Sequence, residues 1–177
     1  LERSEEEVGA ITEVAADAIA AIADGRRKTR LPIHLRVIGR RDLLPAGLAS
    51  VVERSAALSR ADGAMSVTVA LAYSGRDELL EAFRATVREA VDAGMPPDRL
   101  ADSLTADALA AHLYTEGSSD PDLIIRTSGE VRMSGFLPWQ SVYAEYHFAE
   151  AYWPAFREID FLRAIRTYQQ RARRFGR

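Results

Sequence analysis

The chain has 177 residues, 47% hydrophobic and 28% charged, a size and balance that fit one globular domain with its own core over residues 1–177. A formal charge of −3 excludes a nucleic-acid binder that relies on overall positive charge. There is no cysteine, so disulfide frameworks and thiolate zinc sites are excluded and the cytoplasm is the expected compartment, and no apolar run approaches the ~20 residues of a membrane span.

The elements alternate between helix and strand. "SEEEV" reads as a capping box with Ser4 as N-cap and Glu7 three residues on, opening a helix whose apolar face is Val8, Ile11, Ala15, Ile19 and Ile22 and which Gly25 closes. "IHLRVIG" alternates Ile33, Leu35 and Val37 with His34 and Arg36, which is a strand pattern. A helix follows from about Pro45, then the β-rich "SVTVALAY", then a long helix from a cap at Ser74. Pro96, Pro97 and Asp98 break the chain before a short helix from Thr105 to about Tyr114. "DLIIR" and "YAEYHFAE" are further strands, and the last helix runs from about Glu158 towards Arg174 with Phe161, Leu162, Ile165 and Tyr168 on one face. Strands separated by helices of this length predict an α/β fold with a mostly parallel central sheet flanked by helices.

"DLIIRTSGEVRMSGF" carries the chemistry. In open parallel sheets ligands bind beyond the carboxyl ends of strands, where Arg126 falls. Thr127, Ser128 and Gly129 can turn the chain and offer backbone N–H groups, and Arg132 and Ser134 return to the same mouth. Ser134 also stands where a following helix is expected, which would add a helix N-terminus to the positive field. Planar guanidinium forks, a hydroxyl and free N–H groups suit a diphosphate. The same arginines could instead pair with Glu130, Asp122 or other acids, and spacing alone leaves the anion unidentified. Trp139 and Trp153 read as packing residues, and His34, His112 and His147 show no metal-ligand spacing.

"DPDLIIRTSGEVRMSGFLPWQSVYAEYHFAEAYWPAF", with "SGRDEL" before it and the terminal "RRFG", closely resembles the cis-prenyltransferases, the undecaprenyl and decaprenyl diphosphate synthase family. The tail "WPAFREIDFLRAIRTYQQRARRFGR" is most similar to actinobacterial short-chain members. The resemblance implies transfer of a prenyl group: isopentenyl diphosphate condenses with an allylic diphosphate such as geranyl or farnesyl diphosphate to give a Z-configured polyprenyl diphosphate. It implies that Arg126, Arg132 and Ser134, with Met133 between them, hold the isopentenyl diphosphate, and that Glu145 helps bind Mg2+. It further implies that Arg3 lies in a flexible segment contacting substrate diphosphate, and that Arg174 and Gly176 form an Arg-x-Gly motif reaching across a homodimer interface. The cluster Arg171, Arg173, Arg174 and Arg177 would also be favourable at any helix C-terminus. The product would grow in an apolar tunnel, for which the Ala-rich helix from Val8 to Ile22 is one candidate wall. Its lipid character implies peripheral association with the inner face of the cell membrane.

The pattern departs at the start. The Asp-Gly-Asn motif of the resembled family, which binds the allylic diphosphate and supplies a metal-binding aspartate, is absent from these 177 residues, so the resemblance gives no catalytic residue here and the opening strand and helix of the fold are expected to lie outside this sequence. Milder departures put Ala72 and Ser74 at family Asn and Gly positions, Val131 where Gln or His is usual, and Pro138 where Leu is typical. Two rival readings stand beside the enzyme. One is a non-catalytic partner subunit of a heterodimeric cis-prenyltransferase, which the charged residues of the arginine loop disfavour. The other is a generic phosphate-binding α/β domain, which the lack of Gly-rich fingerprints disfavours.

Overall fold

The computed structural model describes residues 4–24, 33–58 and 65–170. They form two units by their own contacts, residues 1–74 and 75–177. Arg3, Arg174 and Gly176 lie outside the described residues, as do Gly25 and the other terminal arginines.

In the first unit, helix α1 (Glu5–Ala23) starts at the expected capping box: Ser4 Oγ accepts from Glu7 N and Glu7 Oε2 accepts from Ser4 N, each at 3.2 Å. This satisfies two N–H groups that the first turn would otherwise leave open. Strand β1 (Ile33–Ile38), helix α2 (Ala46–Leu58) and strand β2 (Met65–Ala70) follow. The two strands pair in parallel from Ile33↔Met65 to Ile38↔Ala70. Leu35 and Val37 point their alternating side chains into a core with Ile19, Ile22, Leu48 and Val52. Only the C-terminal half of the predicted α1 face is buried; Val8 and Ile11 are exposed. At the end of β1, Gly39 takes φ +104° and a Cβ there would overlap the Leu71 carbonyl, so the strand can exit only through glycine. Ala72, where the resembled family has Asn, sits at φ +46°, a left-handed conformation that Asn tolerates and Ala does not favour.

The second unit begins with helix α3 (Gly75–Asp92). Its buried stripe is Gly75, Glu78, Ala82, Thr86 and Ala90, spaced three and four apart but small or polar rather than large and apolar. A 3-10 stretch (Pro97–Ser103) follows the proline break, then the short helix α4 (Ala106–Ala110), capped by Thr105, whose Oγ1 accepts from Ala108 N at 3.1 Å. Ala82, Leu109 and Leu113 form the apolar core here. Strands β3 (Leu123–Arg126) and β4 (Glu145–Phe148) pair in parallel from Leu123↔Glu145 to Arg126↔Phe148. Helix α5 (Glu158–Gln170) lies against β4.

Among the described residues the parallel pairing expected of an α/β fold is therefore present, as two two-stranded sheets. Two expectations change. Parallel neighbours usually join through a helix, but the crossover between β3 and β4, residues 127–144, is built of turns and bends, and no helix starts at Ser134. Positive φ at Gly135 (74°) and Leu137 (47°), followed by Pro138, prevents a helix from propagating there. What remains is one helical turn, with Ser141 N donating to Leu137 O at 2.9 Å. On α5, Ala164 is fully buried, while Phe161 and Leu162 of the predicted face stay about half exposed.

Candidate functional site

β3 delivers Arg126 at its carboxyl end, and the turn that follows is held tightly. Ser128 (φ 80°) and Gly129 (φ 69°) are both left-handed, a conformation that costs Ser128 strain. Their backbone N–H groups donate to Ala151 O at 2.9 Å and Ala149 O at 3.0 Å. These N–H groups, expected to be free for an anion, instead tie the turn to the chain leaving β4.

Bending the chain back brings the two arginines onto one carboxylate. Arg126 is mostly buried, with 19% of its side chain exposed, and Arg132 is open to solvent at 70%. Glu130 bridges them: Arg126 Nη2 pairs with its Oε2, and Arg132 Nη2 donates to its Oε1 at 2.6 Å. Arg126 Nη1 also donates to the Arg132 carbonyl at 2.8 Å, so the buried arginine orients the backbone carrying the exposed one. Partial burial works to raise the Glu130 pKa, but the hydrogen bonds and charges of Arg126 and Arg132 outweigh it and hold the carboxyl below its usual 4.5. The alternative pairing with Glu130 is thus present, and it is compatible with anion binding. A guanidinium has five N–H donors, of which these contacts use two on Arg126 and one on Arg132.

Beside this cluster lies a cavity of about 480 Å³. Arg126, Arg132, Met133 and Ser134, all proposed from sequence, line it together with Thr127 and Ser128. Its apolar lining comes from Leu123, Ile125, Phe136, Leu137 and Tyr146. Tyr146 stacks on Phe148 with ring centroids 5.9 Å apart, and its hydroxyl is buried without a partner. A lining that holds both cations and hydrocarbon makes the cavity amphiphilic. The apolar lining was not assigned from sequence; the spacing of Tyr146 and Phe148 along β4 carried the signal. Val131, the departure from a polar family position, is 76% exposed.

Glu145 is not among the cavity-lining residues. The register sets it opposite Leu123, three positions from the Arg126 level and so roughly 10 Å along the ladder. Among the described residues no three His, Asp or Glu side chains come together to hold a metal ion. Mg2+ needs only one or two carboxylates and completes its octahedron with phosphate and water oxygens. The single hard oxygen donor Glu145 fits that mode, not an all-protein cage. Of the remaining singled-out residues, His112 pairs with Glu89 at 2.8 Å. Trp153, read as a packing residue, stacks on Phe156 with ring centroids 5.8 Å apart and is 72% exposed.

Residues 1–176 match the family model described as undecaprenyl diphosphate synthase. The chain is 45% identical over 160 residues to isoprenyl transferase 1 of Corynebacterium glutamicum, an alignment covering 90% of this chain and 71% of that protein. It is 43% identical over 175 residues to an isoprenyl transferase of Thermus thermophilus, covering 99% of this chain and 66% of that one. Among solved structures it resembles lavandulyl diphosphate synthase from Lavandula x intermedia in complex with dimethylallyl diphosphate, with a TM-score of 0.88, 30% identity and coverage of 99% of this chain and 74% of that one. The chain thus spans about two thirds of the length of the curated relatives it matches.

Proposed function

The chain belongs to the undecaprenyl diphosphate synthase family of prenyltransferases, and from that premise we propose that it serves the condensation of isopentenyl diphosphate with an allylic prenyl diphosphate to a Z-configured polyprenyl diphosphate. The observation that carries this reading is the amphiphilic cavity. Arg126, Arg132 and Ser134 stand where a diphosphate head would sit, and Leu123, Ile125, Phe136 and Tyr146 stand where a short branched hydrocarbon would lie.

In the reaction, C4 of isopentenyl diphosphate forms a bond to C1 of the allylic substrate, whose diphosphate departs with the bonding electrons; a proton is then lost to leave the new Z double bond. Arg126 and Arg132 bind and orient the isopentenyl diphosphate through charge-assisted hydrogen bonds, with Ser134 as a further donor and Met133 between them. Glu130 pre-sets the two guanidinium groups, so little reorganisation is needed when the anion arrives. Glu145 would hold Mg2+, which when bound supplies charge neutralisation on the diphosphate oxygens. Arg3, Arg174 and Gly176 are proposed as substrate contacts on the family resemblance alone. The partners in this reading are the two diphosphates and a second copy of the chain. A cytoplasmic protein in peripheral contact with the membrane through its lipid product agrees with the finding that no described helix is long and apolar enough to cross a bilayer. The gathering of Arg126, Arg132 and Ser134 at one cavity favours a substrate-binding chain over a helper subunit.

Replacing Arg126 by Ala in the full-length enzyme is expected to reduce kcat/KM for isopentenyl diphosphate by about tenfold or more, roughly 1.4 kcal/mol of lost transition-state stabilisation. The variant should still fold, with an unfolding temperature modestly lowered by the loss of one of Glu130's two partners. Unaltered steady-state kinetics would remove Arg126 from the site.

A further inference from the structure

The crossover from Arg132 to Glu145 has neither helix nor strand to hold it, yet it has a buried anchor. Gln140 is 3% exposed, and Glu78 on α3 is fully buried. Gln140 Nε2 donates to Glu78 Oε1 at 3.0 Å and to Thr115 Oγ1 at 2.9 Å. The same Glu78 oxygen accepts from Tyr114 N at 2.9 Å. Both amide hydrogens of Gln140 are therefore engaged, while its Oε1 has no partner. Turning the amide over would set that oxygen against the carboxylate, so the orientation of Gln140 is fixed by charge. One turn earlier on α3, a Cβ at Gly75 would overlap the Gly135 carbonyl and the Pro138 ring. α3 thus grips the crossover at two places, one directly after Ser134 and the other before Glu145.

A buried polar pair is a costly way to fill space, because apolar residues of similar size would pack without a desolvation penalty. What such a pair adds is a defined geometry. We propose that Glu78 and Gln140 form a positioning pair that fixes the crossover, and through it Arg132, Met133 and Ser134, in the arrangement that receives an anionic substrate. None of Glu78, Thr115 and Gln140 lines the cavity, so the pair acts only through the loop. The proposal deepens the prenyl-transfer reading and rests on it for the identity of the anion.

The test compares full-length wild type with Gln140→Leu and with the exchanged pair Glu78→Gln/Gln140→Glu, in which donor and acceptor trade places. Amide hydrogen exchange of residues 132–144, calorimetric affinity for inorganic pyrophosphate, and KM and kcat for isopentenyl diphosphate are measured. In Gln140→Leu, exchange across 132–144 should rise, and pyrophosphate affinity should fall about fivefold, the loss of one oriented hydrogen-bond network. KM should rise by a similar factor while kcat stays within about twofold, and the exchanged pair should recover most of both losses. Unchanged exchange with unchanged affinity would overturn the proposal, as would a fall in kcat with KM unmoved. Should Gln140→Leu not fold, the exchanged pair decides: wild-type exchange and affinity support the pair, and a loosened loop with wild-type affinity refutes it. If the wild type itself binds no pyrophosphate, the substrate reading falls, and exchange across 132–144 in the variants still decides the positioning role.

Discussion

Glu130 is the residue on which the site turns, since both guanidinium groups meet on its two oxygens. Its carboxyl is held below 4.5, and that depression fixes the sign of its pH dependence. A group whose folded pKa is lowered contributes stability that is fully present above its unfolded pKa and is lost as pH falls through the folded value. Wild type should therefore unfold at a higher temperature than Glu130→Gln at neutral pH. The gap should persist down to about pH 4.5 and close below it as the carboxylate protonates. Thermal unfolding at stepped pH measures this, and a gap that does not vary with pH would show that the two arginines are not what holds the charge. The arginines themselves were legible in the sequence, because cations after an apolar strand have no packing explanation. The role of Glu130 was not. A spacing of four from Arg126 and two from Arg132 is ordinary on any surface, and only the successive left-handed residues Ser128 and Gly129 bring the three together.

Among the elements, the helix caps and the parallel strand pairs agree with the sequence reading, and the crossover shaped by its contact with α3 does not. The Ser4 capping box and the Thr105 cap depend on three or four neighbouring residues, and both formed as expected. The helix expected after Ser134 failed because Gly135 and Leu137 adopt positive φ, a choice made where α3 meets the loop, far away in sequence. That meeting makes Gly75 the most constrained position of α3. A methyl group there would run into the Gly135 carbonyl and the Pro138 ring, so Gly75→Ala must push the loop away or shift the helix start. The expected cost is about 1–3 kcal/mol, typical of overpacking, despite the better helix propensity of alanine. Urea denaturation of the variant checks it. A neutral or stabilising result would mean that the loop is free to give way, and the close approach of α3 would then play no part in placing Ser134.

At the scale of the whole molecule, the periodicity of α5 predicted a buried face that the described residues cover only in part. Ala164 is fully covered, but Phe161 and Leu162 are 46% and 50% exposed. Near them in sequence, Tyr143 is 94% exposed, Tyr152 71% and Trp153 72%. Large apolar side chains left in water are what an association surface would use. A sequence pattern reports which residues are buried in the working assembly, and the discrepancy on α5 is what a pattern selected in a dimer would leave in one isolated chain. A second copy, the partner proposed above, is the occupant predicted for this face. Sedimentation equilibrium of the full-length protein should therefore return about twice the monomer mass at micromolar concentration. Phe161→Glu should shift the population to monomer, because the charge would have to be buried at the interface. Its effect on the unfolding of the isolated monomer should be small, since residue 161 is already half in water there. A wild-type monomer at all concentrations would leave the α5 face uncovered and rule out the second copy as its occupant. A dimer untouched by Phe161→Glu would place the interface elsewhere and reduce the α5 pattern to ordinary surface exposure.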